Sequence, residues 1–399
     1  MLIVDIRLTP VSIPFSEPEV WSGGSRPGIT SIIVEVITDE GTVGIGEALP
    51  APTPEVTLAT LQGIRNLILG ENPFHIERIL NKIYSTGGLY PFATMANCAI
   101  GGVEMALWDI MGKAVGIPVH TFFGGPLRSA VSFMYFVQRK AIEEMIEDAR
   151  RAVGLGFRTI YTKVGLDYES DLKIVRALRE AIGSETRLRV DANEAWSPGT
   201  AVRILREMEA CDLEYIEQPM PMSDIEHLKV LRSRIRTPIA ANQSSWTNRD
   251  LYKVLAAGAV DVVMTDPHQA GGLLPFKKAA GIAEAAGVPI VFHSFGPLAI
   301  TTYAAMQVIA SSTNFILDNQ TYNHMLSDDV VVQLPKFEHG SLKLPETPGI
   351  GVELDQDKVN KYAELYKKQG YYSAYNSEDE AFIRERRTAE TKILWFPYQ

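Results

Sequence analysis

Three short apolar runs in this 399-residue chain end in hard oxygen donors: Asp191 in RVDAN, Glu217 in IEQP and Asn242 in IAANQ. They are separated by 26 and 25 residues, about one strand plus one helix each, so consecutive units can bring them to one point. Two carboxylates and an amide oxygen suit Mg²⁺, which keeps its other positions for water or substrate oxygens. Singly, each has a plainer explanation, because Asp and Asn at a strand end commonly cap the helix that follows. Gln243 competes for the third ligand position, but strand alternation turns it to the face opposite Asn242.

Lys163 ends the run TIYTK one unit earlier, with Tyr161 on the same face. A lysine beside a divalent cation is expected to have its pKa lowered enough to act as a base, whereas most lysines simply reach solvent. On the other side, Asp266 ends DVVMTD and His293 ends PIVFHS. Neighbouring strand ends would let the carboxylate fix the imidazole's tautomer and raise its basicity. His268 is either a further contact or a residue of the rim. Removal of the proton next to a carboxylate gives an enediolate, whose charge a divalent cation stabilises. Two bases on opposite faces of that carbon would permit racemisation, or loss of a β-hydroxyl with one group acting as acid.

These residues need a scaffold that lines up strand ends. From Ser129 onward, eight short apolar segments alternate with helix-length stretches: SFMYFV, TIYTKVG, RLRVDAN, LEYIEQP, PIAANQ, DVVMTDP, PIVFHS and NFILDNQ. That period predicts a closed parallel barrel with its chemistry at the C-terminal rim. The first ~125 residues instead read as an antiparallel meander followed by helices, an α+β domain. WSGGSRPG, between the first two strands, reads as a mobile loop. HGSLKLPETPGIGVELD reads as a strand pair returning to the first domain, followed by a charged, aromatic tail packed on the surface.

Composition narrows the class. With 46% hydrophobic and 22% charged residues the chain can bury a large core, and its net charge of −10 disfavours nucleic acid or an anionic membrane as partner. Two cysteines, Cys98 and Cys211, make neither a disulfide framework nor a zinc site and fit a reducing cytoplasm. No basic-then-apolar leader opens the sequence, and no apolar run reaches the ~20 residues of a membrane span.

KVG at 163–165, VDAN at 190–193, IEQP at 216–219 and GVPIVFHS at 287–294 resemble the signatures of the enolase superfamily. The likeness is to the mandelate racemase/muconate lactonizing enzyme family, nearest in motif to the glucarate dehydratase branch, whose asparagine ligand and Asp-Pro-His run are similar to Asn242 and to 266–268. The resemblance covers nearly the whole chain. It implies a (β/α)₇β TIM-like barrel over 127–339 and a capping domain over 1–126 completed by 340–399. It further implies Mg²⁺ on Asp191, Glu217 and Asn242, and catalysis by Lys163 and a His293–Asp266 pair. Substrate contacts are expected from Tyr161, Asn193, Phe133, Tyr135, His268, Arg26 and Gln320. Tyr161 departs from the family's Lys-x-Lys, which removes a positive charge and favours a substrate with fewer anionic groups there. The expected activity is dehydration of an acid sugar or related hydroxy acid by a homo-oligomer acting on a small carboxylate. Alternatives are a two-base racemase or epimerase, a metal-dependent aldolase, and a barrel that binds without catalysis.

Overall fold

The computed structural model describes residues 1–372. The expected packing of the tail therefore lies, for 373–399, outside the described residues. The chain opens with an antiparallel sheet in the order β1 (Ile3–Trp21), β2 (Gly24–Thr38), β3 (Val43–Ala48). Here the reading of WSGGSRPG as a loop is corrected. β1 and β2 run on to pair Glu19 with Arg26, Val20 with Ser25 and Trp21 with Gly24, after a register shift between Pro14 and Glu19. The Glu19–Arg26 ion pair at 2.6 Å joins the two strands, and Ser22 Oγ donates to the Ala192 carbonyl at 2.9 Å.

Helices α1 (Pro54–Ile68) and α3 (Ala93–Val115) cover this sheet, and the short α2 (Ile76–Asn81) packs on α3. Thr53 and the proline after it start α1, as a cap hydroxyl and a pre-set φ should. α3 lies so near β3 that a Cβ on Gly44 or Gly46 would sit 2.0 Å or 1.9 Å from a carbonyl oxygen of that helix.

Seven parallel strands follow, in the spatial order of the chain: β5 (Tyr135–Phe136), β6 (Thr159–Lys163), β7 (Arg187–Asp191), β8 (Tyr215–Glu217), β9 (Ile239–Ala241), β10 (Val262–Thr265) and β11 (Ile290–Phe292). Just before them β4 (Ala130–Ser132) pairs with β12 (Ser341–Lys343). The outer layer is α4 (Ile142–Gly154), α5 (Tyr168–Ile182), α6 (Pro198–Met208), α7 (Ile225–Arg232), α8 (Asn248–Ala256), the single turn α9 (Pro267–Ala270), α10 (Leu273–Ala285) and α11 (Ala299–Ala310). Amphipathic outer helices are held by an apolar stripe, as Ala201, Ile204, Leu205 and Met208 show on α6, whereas α11 is buried nearly all round. Side-chain caps start several of them: Asp167 for α5, Ser197 for α6 and a Thr247–Asp250 capping box for α8.

The expected eighth strand, NFILDNQ, is not a regular strand, yet its last residues join the ends of the sheet. The Asn319 amide donates to the Ser132 carbonyl and the Gln320 amide to the Phe292 carbonyl, at 2.9 and 3.0 Å. Asn319 spends its side-chain amide on the same seam, accepting from Phe292 N and donating to the Ser132 carbonyl. The fold is thus α/β, a curled parallel sheet with an antiparallel capping sheet.

Inside the curl, alternate residues Tyr215, Ala240, Val262, Met264 and Val291 form a small apolar layer, separate from the main core. The next inward positions are Glu217, Asn242, Asp266 and His293, so strand parity alone puts these four above that layer. After β12 the chain crosses back and ends its described part with α12 (Gln356–Gln369) against β1. Among the described residues no helix is long and apolar enough to cross a membrane.

Candidate functional site

Strand register sets the first row of the site. Lys163 pairs with Asp191, and Asp191 with Glu217, so three inward strand ends share one rung. All three are buried, as is Asn242. Asp191 Oδ2 accepts from Lys163 Nζ at 2.7 Å and from the Tyr161 hydroxyl at 2.8 Å, and its Oδ1 accepts from the Asn193 amide. Gln320 Nε2 holds Glu217 Oε2 at 2.6 Å. Asn242 caps nothing: neither its side-chain oxygen nor its nitrogen has a hydrogen-bond partner. Burial and the neighbouring Asp191 charge push the Glu217 carboxyl well above the usual carboxylate range.

A hard cation would relieve both conditions, by neutralising the like charges and taking the orphaned amide oxygen. Among the described residues no three His, Cys, Asp or Glu side chains gather as a metal site, and this set is two carboxylates completed by an amide. The donors therefore fit Mg²⁺ better than a softer ion.

Lys163 departs from expectation. Burial acts to lower its pKa, but Asp191, Glu19 and Glu217 outweigh burial and hold it above the ordinary lysine value. Any lowering has to come from a neighbouring cation, since the protein's own charges act the other way. Tyr161 is kept a neutral phenol, its pKa raised well above normal by burial and by Asp191.

Across the barrel, His293 Nδ1 lies 2.9 Å from Asp266 Oδ2. A carboxylate only accepts, so the proton sits on Nδ1 and the Nε2 lone pair is left for chemistry. Asp266 also caps α9, its Oδ1 accepting from the amides of His268 and Gln269 at 2.6 and 3.0 Å. Capping and orienting are thus performed by different oxygens of one residue.

Above these groups opens a cavity of about 640 Å³ between capping sheet and barrel, lined by Lys163, His293, Asn193 and Arg26 among others. Five expected substrate contacts are absent from its lining. Tyr135 points away from the interior: its ring packs on Phe157 and His324, with centroids 5.1 and 4.3 Å away, and its hydroxyl accepts from Arg151. Phe133 shares that outward parity and packs on Phe337. The inward aromatic is Phe136, paired in register with Tyr161 and edge-on to its ring at 5.0 Å. His268 donates from Nε2 to the Glu47 carbonyl under the capping sheet, and Gln320 is spent on Glu217. Tyr161 likewise meets Asp191 and is no part of the lining.

Several lining residues escaped the sequence reading: Glu19, Trp21, Trp246, Phe295 and Tyr322. Glu19 accepts from Arg26 with one oxygen and from the Tyr322 hydroxyl with the other, and Arg26 also donates to the Phe295 carbonyl. The pairing of Glu19 with Arg26 could have been found by continuing the hairpin through its glycine turn.

This combination of barrel, cap and inward strand-end groups defines a class, and comparison places the chain within it. Residues 144–358 match the enolase C-terminal domain-like model, and residues 3–124 match the mandelate racemase/muconate lactonizing enzyme N-terminal domain model. The chain belongs to the mandelate racemase/muconate lactonizing enzyme family of the enolase superfamily. Both matches stop short of the glucarate dehydratase branch. Among relatives, L-Ala-D/L-Glu epimerase from Clostridium acetobutylicum is 29% identical, covering 88% of this chain and 99% of the relative. Arabinonate dehydratase from Saccharolobus solfataricus is 26% identical, covering 83% and 90%. Dipeptide epimerase from Enterococcus faecalis, solved as a complex with Mg and L-Leu-L-Tyr, superposes with a TM-score of 0.81 at 29% identity, covering 88% of this chain and all of the other.

Proposed function

We propose that this protein is a Mg²⁺-dependent racemase or epimerase that moves the proton next to a substrate carboxylate between Lys163 and His293. One observation carries the reading: both groups open on the same cavity, each tied to its own buried carboxylate, Asp191 or Asp266. Asp191, Glu217 and Asn242 would hold the cation. A bound Mg²⁺ supplies charge stabilisation as the carbon next to the carboxylate becomes anionic. Asp191 keeps the Lys163 ammonium aimed across the barrel mouth, and Asp266 holds His293 with Nε2 free to take or return a proton. The capping sheet and its aromatic residues exclude water from the reacting carbon.

The cavity wall favours this reading over loss of water from an acid sugar, the activity the motifs first suggested. Trp21, Ile29, Leu49, Trp246 and Phe295 give it a largely apolar surface. Tyr322 and Thr30 are already engaged there, by Glu19 and Ser12, which leaves the Asn193 and Gln243 side-chain oxygens and the Trp246 indole N–H as a small polar set beside that apolar surface. Such a wall suits a carboxylate with a bulky apolar group, such as an N-acyl amino acid or hydrophobic dipeptide, better than a polyol. The likeness to L-Ala-D/L-Glu epimerase agrees in direction. Dehydration keeps support from the arabinonate dehydratase likeness and from His293, which could protonate a departing hydroxyl.

The test is ¹H NMR in D₂O with Mg²⁺ over hydrophobic dipeptides, N-acyl amino acids and aldonic acids. Expected is loss of one α-proton signal with inversion and without a keto acid. Lys163→Ala and His293→Asn should each retain exchange of a different configuration. Keto acid formed from an aldonic acid, with no exchange in the other compounds, would establish dehydration instead.

A further inference from the structure

Beyond the barrel, the outer wall of the cavity includes Tyr371 and Tyr372, which follow α12 at the far end of the described chain. They are held there by a built seat on the capping sheet. Ser12 and Thr30 face each other across β1 and β2, their hydroxyl oxygens 2.7 Å apart and both residues buried. Ser12 Oγ donates to the Gly370 carbonyl at 3.1 Å, so it must accept from Thr30. Thr30 Oγ1 in turn accepts from the Tyr372 amide at 2.9 Å. One unbroken relay thus grips both ends of the segment 370–372 through its backbone.

The bed beneath it is cut to fit. A Cβ at Gly28 would lie 2.7 Å from the Tyr372 ring and 2.5 Å from the Ile13 carbonyl oxygen, so only glycine lets that ring lie on the hairpin. Gly370 turns the chain out of α12 with a φ of 77°, a left-handed value that favours glycine. Two buried hydroxyls, a bare glycine and a helix-ending glycine thus all serve one placement.

We propose that Gly370–Tyr372 is a specificity strap: Tyr371 and Tyr372 contact the apolar group of the substrate, Thr30 beside them in the wall holds Tyr372, and Ser12, outside the lining, holds Gly370 and positions the segment from behind. This rests on the functional reading above only for the identity of the ligand. It predicts selection by size and aromaticity from a segment remote in sequence from every catalytic group.

The experiment uses the full chain with Mg²⁺ and two readouts. The first is α-proton exchange of N-acetyl-phenylalanine and N-acetyl-alanine in D₂O by wild type, Tyr371→Ala, Tyr372→Ala and Ser12→Ala. KM for the phenylalanine compound should rise about five- to tenfold in the tyrosine variants, with little change in kcat or in KM for the alanine compound. Ser12→Ala, which alters no cavity residue, should shift KM in the same sense. The second needs no substrate: N-ethylmaleimide labelling of Cys98, which lines the same cavity but is only 3% exposed, followed by mass spectrometry. Removing either tyrosine should speed it severalfold, while buried Cys211 serves as the internal reference. If wild type exchanges neither compound, the functional reading is at fault and labelling still decides the strap. Unchanged Cys98 labelling in both tyrosine variants, with native circular dichroism, overturns the strap.

Discussion

At the scale of single residues, the most informative position is Asp266, because its two oxygens do separable work. Asp266→Asn can keep the oxygen that caps α9 while replacing the one facing His293 with an amide nitrogen, which cannot accept from Nδ1. Circular dichroism should stay native while turnover falls about 10²–10⁴-fold, as far as in His293→Asn. Near-normal turnover would show the pair to be structural. Metal affinity offers a second check. Asp191→Ala or Glu217→Ala should weaken Mg²⁺ binding in titration calorimetry more than Asn242→Ala, since an amide brings no charge, and Asn242→Ala should still cost about tenfold. The five residues named here and Lys163 were legible because each ends a short apolar run, and chemistry at strand ends has a position as well as a type. The aromatic wall was not. Trp21, Trp246, Phe295 and Tyr322 sit in hairpin and loop segments, where an apolar residue facing a ligand reads like one facing the core. The outward turn of Tyr135 was illegible for a related reason. A strand buried on both faces carries no polar alternation, so SFMYF cannot tell inside from outside until its register with Tyr161 is known.

Elements show the same division. The seven inner strands declare themselves by the βα period, whereas the eighth segment closes the sheet through scattered bonds of Asn319 and Gln320 rather than a ladder, so its apolar run overstated its regularity. Close packing of α3 on β3 was equally silent, since TVGIGEA reads as a strand and nothing in it says that its glycines leave room for a helix. That contact makes a prediction. A methyl at Gly46 would meet the Gly102 carbonyl at 1.9 Å, with backbone on both sides and no flexible side chain to yield. Gly46→Ala should destabilise the protein by about 1–3 kcal/mol or more, read from the urea midpoint. Gly63 in α1 has nothing within 4 Å of its would-be Cβ, so Gly63→Ala should instead stabilise by about 0.5–1 kcal/mol. Equal effects of the two would refute the reading of a helix set against a bare strand.

For the whole molecule, the question is what fastens cap to barrel, because the cavity lies between them. Carboxylates do much of it. Glu47 of β3 accepts from the amides of Leu298 and Thr301 and from the Thr301 hydroxyl, at the start of α11. Glu104 of α3 accepts from the amides of Leu273 and Leu274 at the start of α10. Each meets the positive end of a helix, where a carboxylate is stabilised. Asp329 completes the cluster, accepting from the amides of Ala299 and Val330. Burial raises Asp329 from its ordinary 3.8 to about 7, with Glu47 and Asp328 adding to the rise, and Tyr303 also faces it. Burial raises Glu104 from 4.5 to about 7 against the pull of its amide donors. A carboxyl whose folded pKa lies above its unfolded value binds more protons when folded, so its contribution is complete below the unfolded value and is lost as pH rises through about 7. With Mg²⁺ held saturating, the urea midpoint should therefore fall between about pH 5 and about pH 8. Asp329→Asn cannot ionise. It should start lower at the acid end, where it loses part of an amide hydrogen-bond pair, yet fall less across the range, so the two curves converge toward alkaline pH. Parallel curves would mean that Asp329 does not titrate in this window, and that the cap is held by fixed charges instead.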